Sequence, residues 1–406
     1  SCAGIVPMRS RREVISIEEF GGVGDGRTDN SWAFRKAMYR IQHQRRRGGT
    51  LLYVPGGVWL TGCFNVTSHM TLYLARGAVI KATQDTERWP LVEPLPSYGR
   101  GRERPGGRYA SFIQGYGLRD VIITGENGTI DGQGGVWWDM WRRRTLGFTR
   151  PNLIEFMHST DIHISNVIFR NSPFWTIHPV YCSNVVIRSV TVLAPHDSPN
   201  TDGIDPDSSS NVCIEDSFIS TGDDAIAIKS GWDEYGISYG RPSTFITIQR
   251  ITASSPFSAI AIGSEASGGI QHILIHNINI HSTAIAIHIK TNAGRGGFIT
   301  NVTISDVHMS RVTEGVRIVG DVGDHPDGNF NPGALTRVDG VTIRDVWGVG
   351  VREPGSIEGI KDSPFTRICL SNVRLWGMEK WRCAEVSGVA VGVEPWPCAE
   401  LVGTLS

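Results

Sequence analysis

The sequence predicts an all-β fold: a right-handed parallel β-helix with an N-terminal capping helix, one domain over residues 1–406. Three observations lead there. A unit of the form Val/Ile-x-Ile-x-x-Val/Ile recurs, with its central Ile at 164, 187, 214, 248, 275, 304 and 343. The steps between those positions are 23, 27, 34, 27, 29 and 39 residues. Three residues before four of them stand Asp161, Asn184, Asn211 and Asn301, and Asx side chains tolerate the left-handed backbone of a sharp coil turn. Strand-type alternation at such a period marks stacked coils that bury one shared core. A sandwich or propeller would show hairpin turns and another period.

The elements follow in order. Residues 1–50 read as an N-terminal cap. Phe20-Gly21-Gly22-Val23-Gly24-Asp25-Gly26 is a glycine-rich turn, and a helix should start near Asn30 with Asp29 or Asn30 as its N-cap. Phe34, Ala37, Met38 and Ile41 give that helix one apolar face, and Gly48-Gly49 should end it. The glycines match no nucleotide fingerprint, since neither Gly-Lys-Ser/Thr nor a Gly-x-Gly-x-x-Gly after a strand is present. Arg45-Arg46-Arg47 reads as the solvated end of the helix. Thr50–Val54 and Met70–Leu74 are short alternating strands broken by Pro or Gly. The repeat then runs from about 119, with a looser copy at Val212-Cys213-Ile214 to Ser217, and is expected to stop near 375, where 375–406 would cover the open end of the core.

Composition narrows the function. A net charge of −1 gives no bulk field for a polyanion or a polycation, and no run approaches 18 apolar residues. Neither a nucleic-acid nor a membrane partner is expected, and the chain is expected to be a monomer. The 7 cysteines include no Cys-x-x-Cys and no zinc spacing, while Cys383 and Cys398 lie close enough for a disulfide. The sequons at Asn65, Asn127 and Asn301 would accept N-glycans in a secreted chain.

The chemistry centres on Asn200-Thr201-Asp202 and Gly222-Asp223-Asp224. These acids border small residues and the apolar run Ala225–Ile228 rather than a polar face. Crowded carboxylates beside apolar residues shift one another's pKa, so one can hold a proton while another stays ionised. Glycoside hydrolysis needs that division of labour. Residues one coil apart stack ~4.8 Å apart, so Asp202 and Asp223 should share a face with Ser258 and His288 further along. Lys229, Lys290 and Arg295 accompany them. Arg295 reads as solvated. Lys290, at the end of an apolar run, should find a partner, and a sugar carboxylate would suit it. Trp175 could be a platform for a sugar ring or a core aromatic. Arg100, Arg102, Arg104 and Arg108 form a basic loop that could border an anionic ligand. Trp137, Trp138 and Trp141 with Arg142–Arg144 suggest an amphipathic wall.

These motifs resemble family 28 glycoside hydrolases, the polygalacturonases. The resemblance rests on Asn200-Thr201-Asp202, Gly222-Asp223-Asp224, the stretch around 258–264, Lys290-Thr291 and Gly294-Arg295-Gly296-Gly297. Asn171-Ser172-Pro173-Phe174-Trp175 and Gly263-Ser264-Glu265 resemble exo-acting members. The resemblance implies hydrolysis of a pectic, galacturonan-type chain with inversion, in the plant cell wall or apoplast, with no metal and no cofactor. It implies Asp223 as general acid, Asp202 and Asp224 as the groups that hold and deprotonate water, and Asn200, Ser258, His288, Lys290 and Trp175 as substrate-binding residues.

Two positions depart from the family pattern. Ser258 stands where the family has an active-site histidine, and His288 where it has a substrate-binding arginine. Histidine cannot copy arginine's planar fork, so a rhamnogalacturonan, a terminal neutral sugar or an inactive wall-binding protein are alternatives. A calcium-dependent lyase on the same fold is a further one. His288, protonated in an acidic wall, would restore a cation, and activity would then fall as pH rises through about 6–7.

Overall fold

The computed structural model describes residues 2, 4–377 and 379–402. Apart from a short antiparallel pair, Leu91–Val92 with Arg108–Tyr109, its strands pair in parallel with the strand one coil away. Ile162–Ser165 lies on Val185–Arg188, which lies on Val212–Glu215, then Ile246–Gln249, Ile273–His276, Val302–Ser305 and Val341–Arg344. The repeat's central positions are therefore one column. It begins earlier than the repeat is legible, at Ile15, Leu52, Leu72 and Ile123, and its last branched apolar member is Leu370. Every member through Leu370 is buried. An Ile or Leu removed from water stabilises by about 1.5–3 kcal/mol, and stacking lets each coil bury its residues against the next.

The corner before this column has a fixed backbone. Gly49, His69, Asp120, Asp161, Asn184, Asn211, Phe245, His272, Asn301, Gly340 and Arg367 all have φ between 51° and 77–79°, the left-handed region. The Asx side chains hold one another: Asn184 donates to Asp161 at 3.1 Å and Asn211 to Asn184 at 2.8 Å. Further on, Phe245 and His272 stack at 4.9 Å instead.

The long steps in the repeat are insertions. A helix at Asp233–Tyr239 lengthens the coil between Ile214 and Ile248, and a helix at Gly135–Arg142 lies between Ile123 and Ile164. The segment 83–112 and the loop 320–336 do the same elsewhere. Three of these insertions meet: Trp232 Nε1 donates to the Asp324 carbonyl at 3.1 Å, Arg100 to the Pro326 carbonyl at 2.7 Å, and Tyr235 to Asp327 at 2.6 Å. They wall one side of the rod.

The N-terminal helix is Ser31–His43, with Asn30 as N-cap, and it buries Ala33, Phe34, Ala37, Met38 and Ile41 against the first rungs. It ends at His43, before Gly48. The C-terminal boundary needs a larger correction. The coil continues past 375, because Val386–Glu394 pairs in parallel with Phe365–Leu375. That rung was illegible because its inward positions, opposite Ile368 and Leu370, are Gly388 and Ala390. Two disulfides form, the anticipated Cys383–Cys398 and an unanticipated Cys2–Cys213 that ties the N-terminus to the rod.

Candidate active site

The rungs place the acids through their backbone. Thr176 N–H donates to the Asp202 carbonyl at 2.8 Å, Gly203 N–H to the Asp224 carbonyl at 3.0 Å, and Ala225 N–H to the Ser258 carbonyl at 2.9 Å. Trp175, Asp202, Asp224 and Ser258 are thus neighbours on successive rungs of one sheet. Asp223 comes from the turn before Asp224, where Ser255 Oγ and Thr221 Oγ1 donate to its carbonyl at 2.7 and 3.1 Å. That turn packs on the Asn200-Thr201-Asp202 loop through Gly222. Its N–H donates to Thr201 Oγ1 at 2.9 Å, and a Cβ there would lie 2.0 Å from the Ser198 carbonyl oxygen, so only glycine fits. Carboxylate oxygens of Asp202, Asp223 and Asp224 lie within 4.8 Å of one another.

Their surroundings split them. Asp224 is buried, which works against its charge, but Lys290, with Nζ at 2.8 Å, and then Lys229 outweigh this and hold it below the usual carboxylate range; the Ser258 N–H also donates to it at 3.1 Å. Asp223 is pushed up to about 6 by burial and then by the charge of Asp224. Asp202 is raised well above its ordinary value by burial, then by Asp205 and Asp223. Burial and its acidic neighbours thus favour the protonated form of Asp202, while Lys290 favours the ionised form of Asp224.

A fourth acid joins them. Asp205 is fully buried, neither carboxylate oxygen has a donor other than Asp202, and burial lifts it to about 7. Behind it, Lys229 Nζ lies 2.6 Å from Glu265, and Arg102 bridges Glu265 at 2.9 Å and Asp324 at 2.8 Å. Burial lowers Lys229, but Glu265 and Asp205 outweigh it, so the ammonium is held charged. Asp205 carries a weaker signal in the sequence: a further acid, three residues after Asp202 and flanked by Ile204 and Pro206.

The anticipated binding residues fare differently. Lys290 remains partly exposed and finds Asp224 as its partner. Ser258 is buried, with Oγ 2.8 Å from His288 Nδ1. The structure disfavours His288 as the expected cation: burial, then Lys290 beside it, push it down to about 3, which favours the neutral ring. Its Nε2 is buried without a partner. Asn200 offers its Oδ1 to Arg150 at 2.6 Å, and Arg150 itself is clamped by Glu103 and the carbonyls of Pro173 and Pro199. Trp175 is not an open sugar platform. It is 6% exposed, with Phe174 stacked at 4.9 Å and Lys229 Nζ 4.7 Å above its ring. Arg295 is wholly buried on Asp233 at 2.7 Å rather than solvated.

The wall has a consequence for access. Tyr98 donates to Asp207 at 2.7 Å and Arg108 to Glu155 at 2.6 Å, so the inserted segment lies across the same sheet on the N-terminal side of the acids. Arg102, fixed to Glu265 and Asp324, belongs to the same segment. On the other side the sheet continues through His288, Arg317 and Ser356, in register. The closeness of the three carboxylates would also suit a cation, and Lys229 and Lys290 already supply positive charge beside them.

The family described as Glycosyl hydrolases family 28 matches residues 102–393. A Vitis vinifera protein described as "Probable polygalacturonase" is 48% identical over 94% of this chain and 79% of its own. An exopolygalacturonase from Thermotoga maritima superposes with a TM-score of 0.80 at 28% identity, covering 96% of this chain and 94% of the other. A polygalacturonase from Erwinia carotovora superposes at 0.77 with 23% identity, over 95% and 97% of the two chains, and shows the same fold.

Proposed function

The chain belongs to glycosyl hydrolases family 28, and from that premise we propose that this pectin-directed glycoside hydrolase removes galacturonate-type residues from a chain end. The carrying observation is the opposite displacement of adjacent carboxyls: Asp223 raised to about 6, Asp224 lowered by Lys290. In this reading protonated Asp223 donates to the glycosidic oxygen as the bond to the sugar breaks. Water, held between Asp224 and Asp202, attacks the anomeric carbon and gives its proton to Asp224. Leaving-group protonation and base assistance each contribute about 10²–10⁴-fold.

End-wise action is supported by the segment over the sheet at Tyr98, Arg102 and Arg108, which leaves one open direction, and by the likeness to the Thermotoga exopolygalacturonase. Substrate carboxylates would meet Lys290 and, one rung on from neutral His288, Arg317, whose side chain is 28% exposed. Secretion to the wall is supported by exposed sequons at Asn65, Asn127 and Asn301 and by the two disulfides.

Mass analysis of early products from defined oligogalacturonides tests the reading. Release of the smallest unit from the outset supports it, and a spread of mid-length products refutes end-wise action. An unsaturated product absorbing in the near ultraviolet would replace hydrolysis by elimination. Turnover lost in Asp223→Asn with folding intact would exclude a mere binding protein.

A further inference from the structure

A second charged surface lies apart from the acids, at the N-terminal end of the rod. It is a depression of about 660 Å³ whose lining includes Arg9, Arg11, Arg45, Arg46, His69 and Asp120. None of these belongs to the acid site described above. The chain turns tightly to build it. Gly49 has φ +77°, and a Cβ there would lie 2.5 Å from the His69 carbonyl oxygen. This close approach brings Arg45–Arg47 beside Arg9–Arg12, with the Arg12 stem against Gly48.

The charges in the depression do not cancel. Asp120 is taken by Arg11, which reaches both its oxygens at 2.7 and 2.8 Å, and by His69 at 3.2 Å. Glu13 is taken by Arg40, leaving Arg46 a contact of only 3.5 Å with its guanidinium side chain 63% exposed. Arg9 and Arg45 are exposed and make no ion pair among the described residues, and Arg12, Arg47 and Arg119 are exposed nearby. The whole chain carries −1, so this is a local concentration and not a bulk excess.

We propose that this depression is a non-catalytic docking surface for an anionic polysaccharide, with Arg9, Arg45 and Arg46 gripping carboxylates around the fixed Arg11–Asp120 pair. A guanidinium matches a carboxylate with two parallel hydrogen bonds. The lining has no apolar side chain to enter a membrane and no Phe, Tyr or Trp on which bases would stack. The choice of a uronate polymer rests on the pectic reading above. The surface would hold the enzyme on a polymer whose end it trims, raising the local concentration of ends.

The test uses the full chain with Arg9, Arg45 and Arg46 all changed to Ala, beside the triple Lys variant. Retention on immobilised polygalacturonate is measured against salt, and hydrolysis is measured on a soluble trisaccharide. Binding to the polymer should weaken at least about tenfold in the Ala variant, as for loss of several unpaired cations from a polyanion contact, and largely persist with Lys. Trisaccharide hydrolysis should not change. Equal retention of wild type and Ala variant overturns the proposal, as does equal binding of both to anionic vesicles or single-stranded DNA with none to polygalacturonate. Retention is read without turnover, so a chain that binds through these arginines but cleaves no galacturonide would sink the enzymatic reading and leave the surface standing.

Discussion

Lys290 Nζ lies 2.8 Å from Asp224 Oδ2, across two rungs of the sheet, and separates the charge state of Asp224 from that of its own chain neighbour, Asp223. The ammonium is itself raised because Asp224 outweighs the burial that opposes it. Removing it by Lys290→Met should let Asp224 rise toward its crowded neighbours. The base is then lost over much of the working range, and kcat should fall about 10²-fold or more. A substrate-binding role alone would raise KM and spare kcat, so the split between the two is the measurement.

In the proposed mechanism Asp223 sets the alkaline limb. Its pKa is raised to about 6, so the acid form is present below that pH and lost above it. The pH profile of kcat/KM should fall as pH rises through about 6, and its acid limb, set by lowered Asp224, should lie below the ordinary carboxylate range. Burial and Lys290 push His288 down to about 3, which favours its neutral form across that limb. His288→Gln should therefore leave the alkaline midpoint in place, and a midpoint that moves with this variant would reassign the limb to the imidazole.

Asp205 shares its burial with Asp202, and burial raises both carboxyls. Asp205→Asn keeps the shape and supplies a permanent hydrogen-bond donor. Asp202 should then ionise more readily, and the profile should broaden or shift toward acid with folding unaffected by melting temperature. Asp202→Asn with Asp205 intact should instead reduce kcat, because the water loses one of its two holders.

Much of this fold was legible because a parallel coil repeats its physics. The column through Ile164 and Ile343 needs a branched apolar residue at each step, and the corner at Asn184 and Asn211 needs a residue that accepts φ near +55°. Where another residue meets the need, the pattern fades. Phe245 and Arg367 occupy the same corner, and Gly388 and Ala390 fill the last rung, which hid its continuation past 375. Within the site, Asp202, Asp223 and Asp224 stood out by their motifs. The second layer did not: Arg150 lies 47 residues from Glu103, and Arg102 lies 163 from Glu265, pairs brought near by an insertion whose path has no repeat. Trp175 and His288 were read as facing substrate because a rung gives no sign of which insertions will cover it.

The carboxyl spacing bears on stereochemistry. Oxygens of the three acids approach within 4.8 Å, closer than the ~6.5–9.5 Å between carboxyls in inverting glycosidases generally. In the proposed mechanism two acids hold the water, so no single pair spans it, and none attacks carbon. Proton NMR of the first product should show the anomer opposite to that of the substrate linkage. Retention, or trapping of a sugar ester on Asp202 or Asp224, would replace the water-holding role with a nucleophilic one.

His178 should make folding stability depend on pH on the alkaline side. It is wholly buried between Glu155 at 2.8 Å and Asp207 at 2.9 Å. Burial lowers its pKa, but the hydrogen bonds and charges of those acids outweigh this and raise it from 6.5 to about 9. A group whose pKa is higher in the folded state binds its proton more tightly there. The resulting stability is fully present below pH 6.5, declines as pH rises, and is gone once pH passes about 9. Urea midpoints should therefore fall between pH 6.5 and 9 in the wild type. His178→Gln should remove that slope while costing about 3 kcal/mol at pH 6, because Glu155 and Asp207 lose their shared cation in a buried site. A wild-type midpoint that stays level from pH 6 to 9 would mean that the imidazole is neutral between the two acids, and that Arg108, 2.6 Å from Glu155, balances them alone.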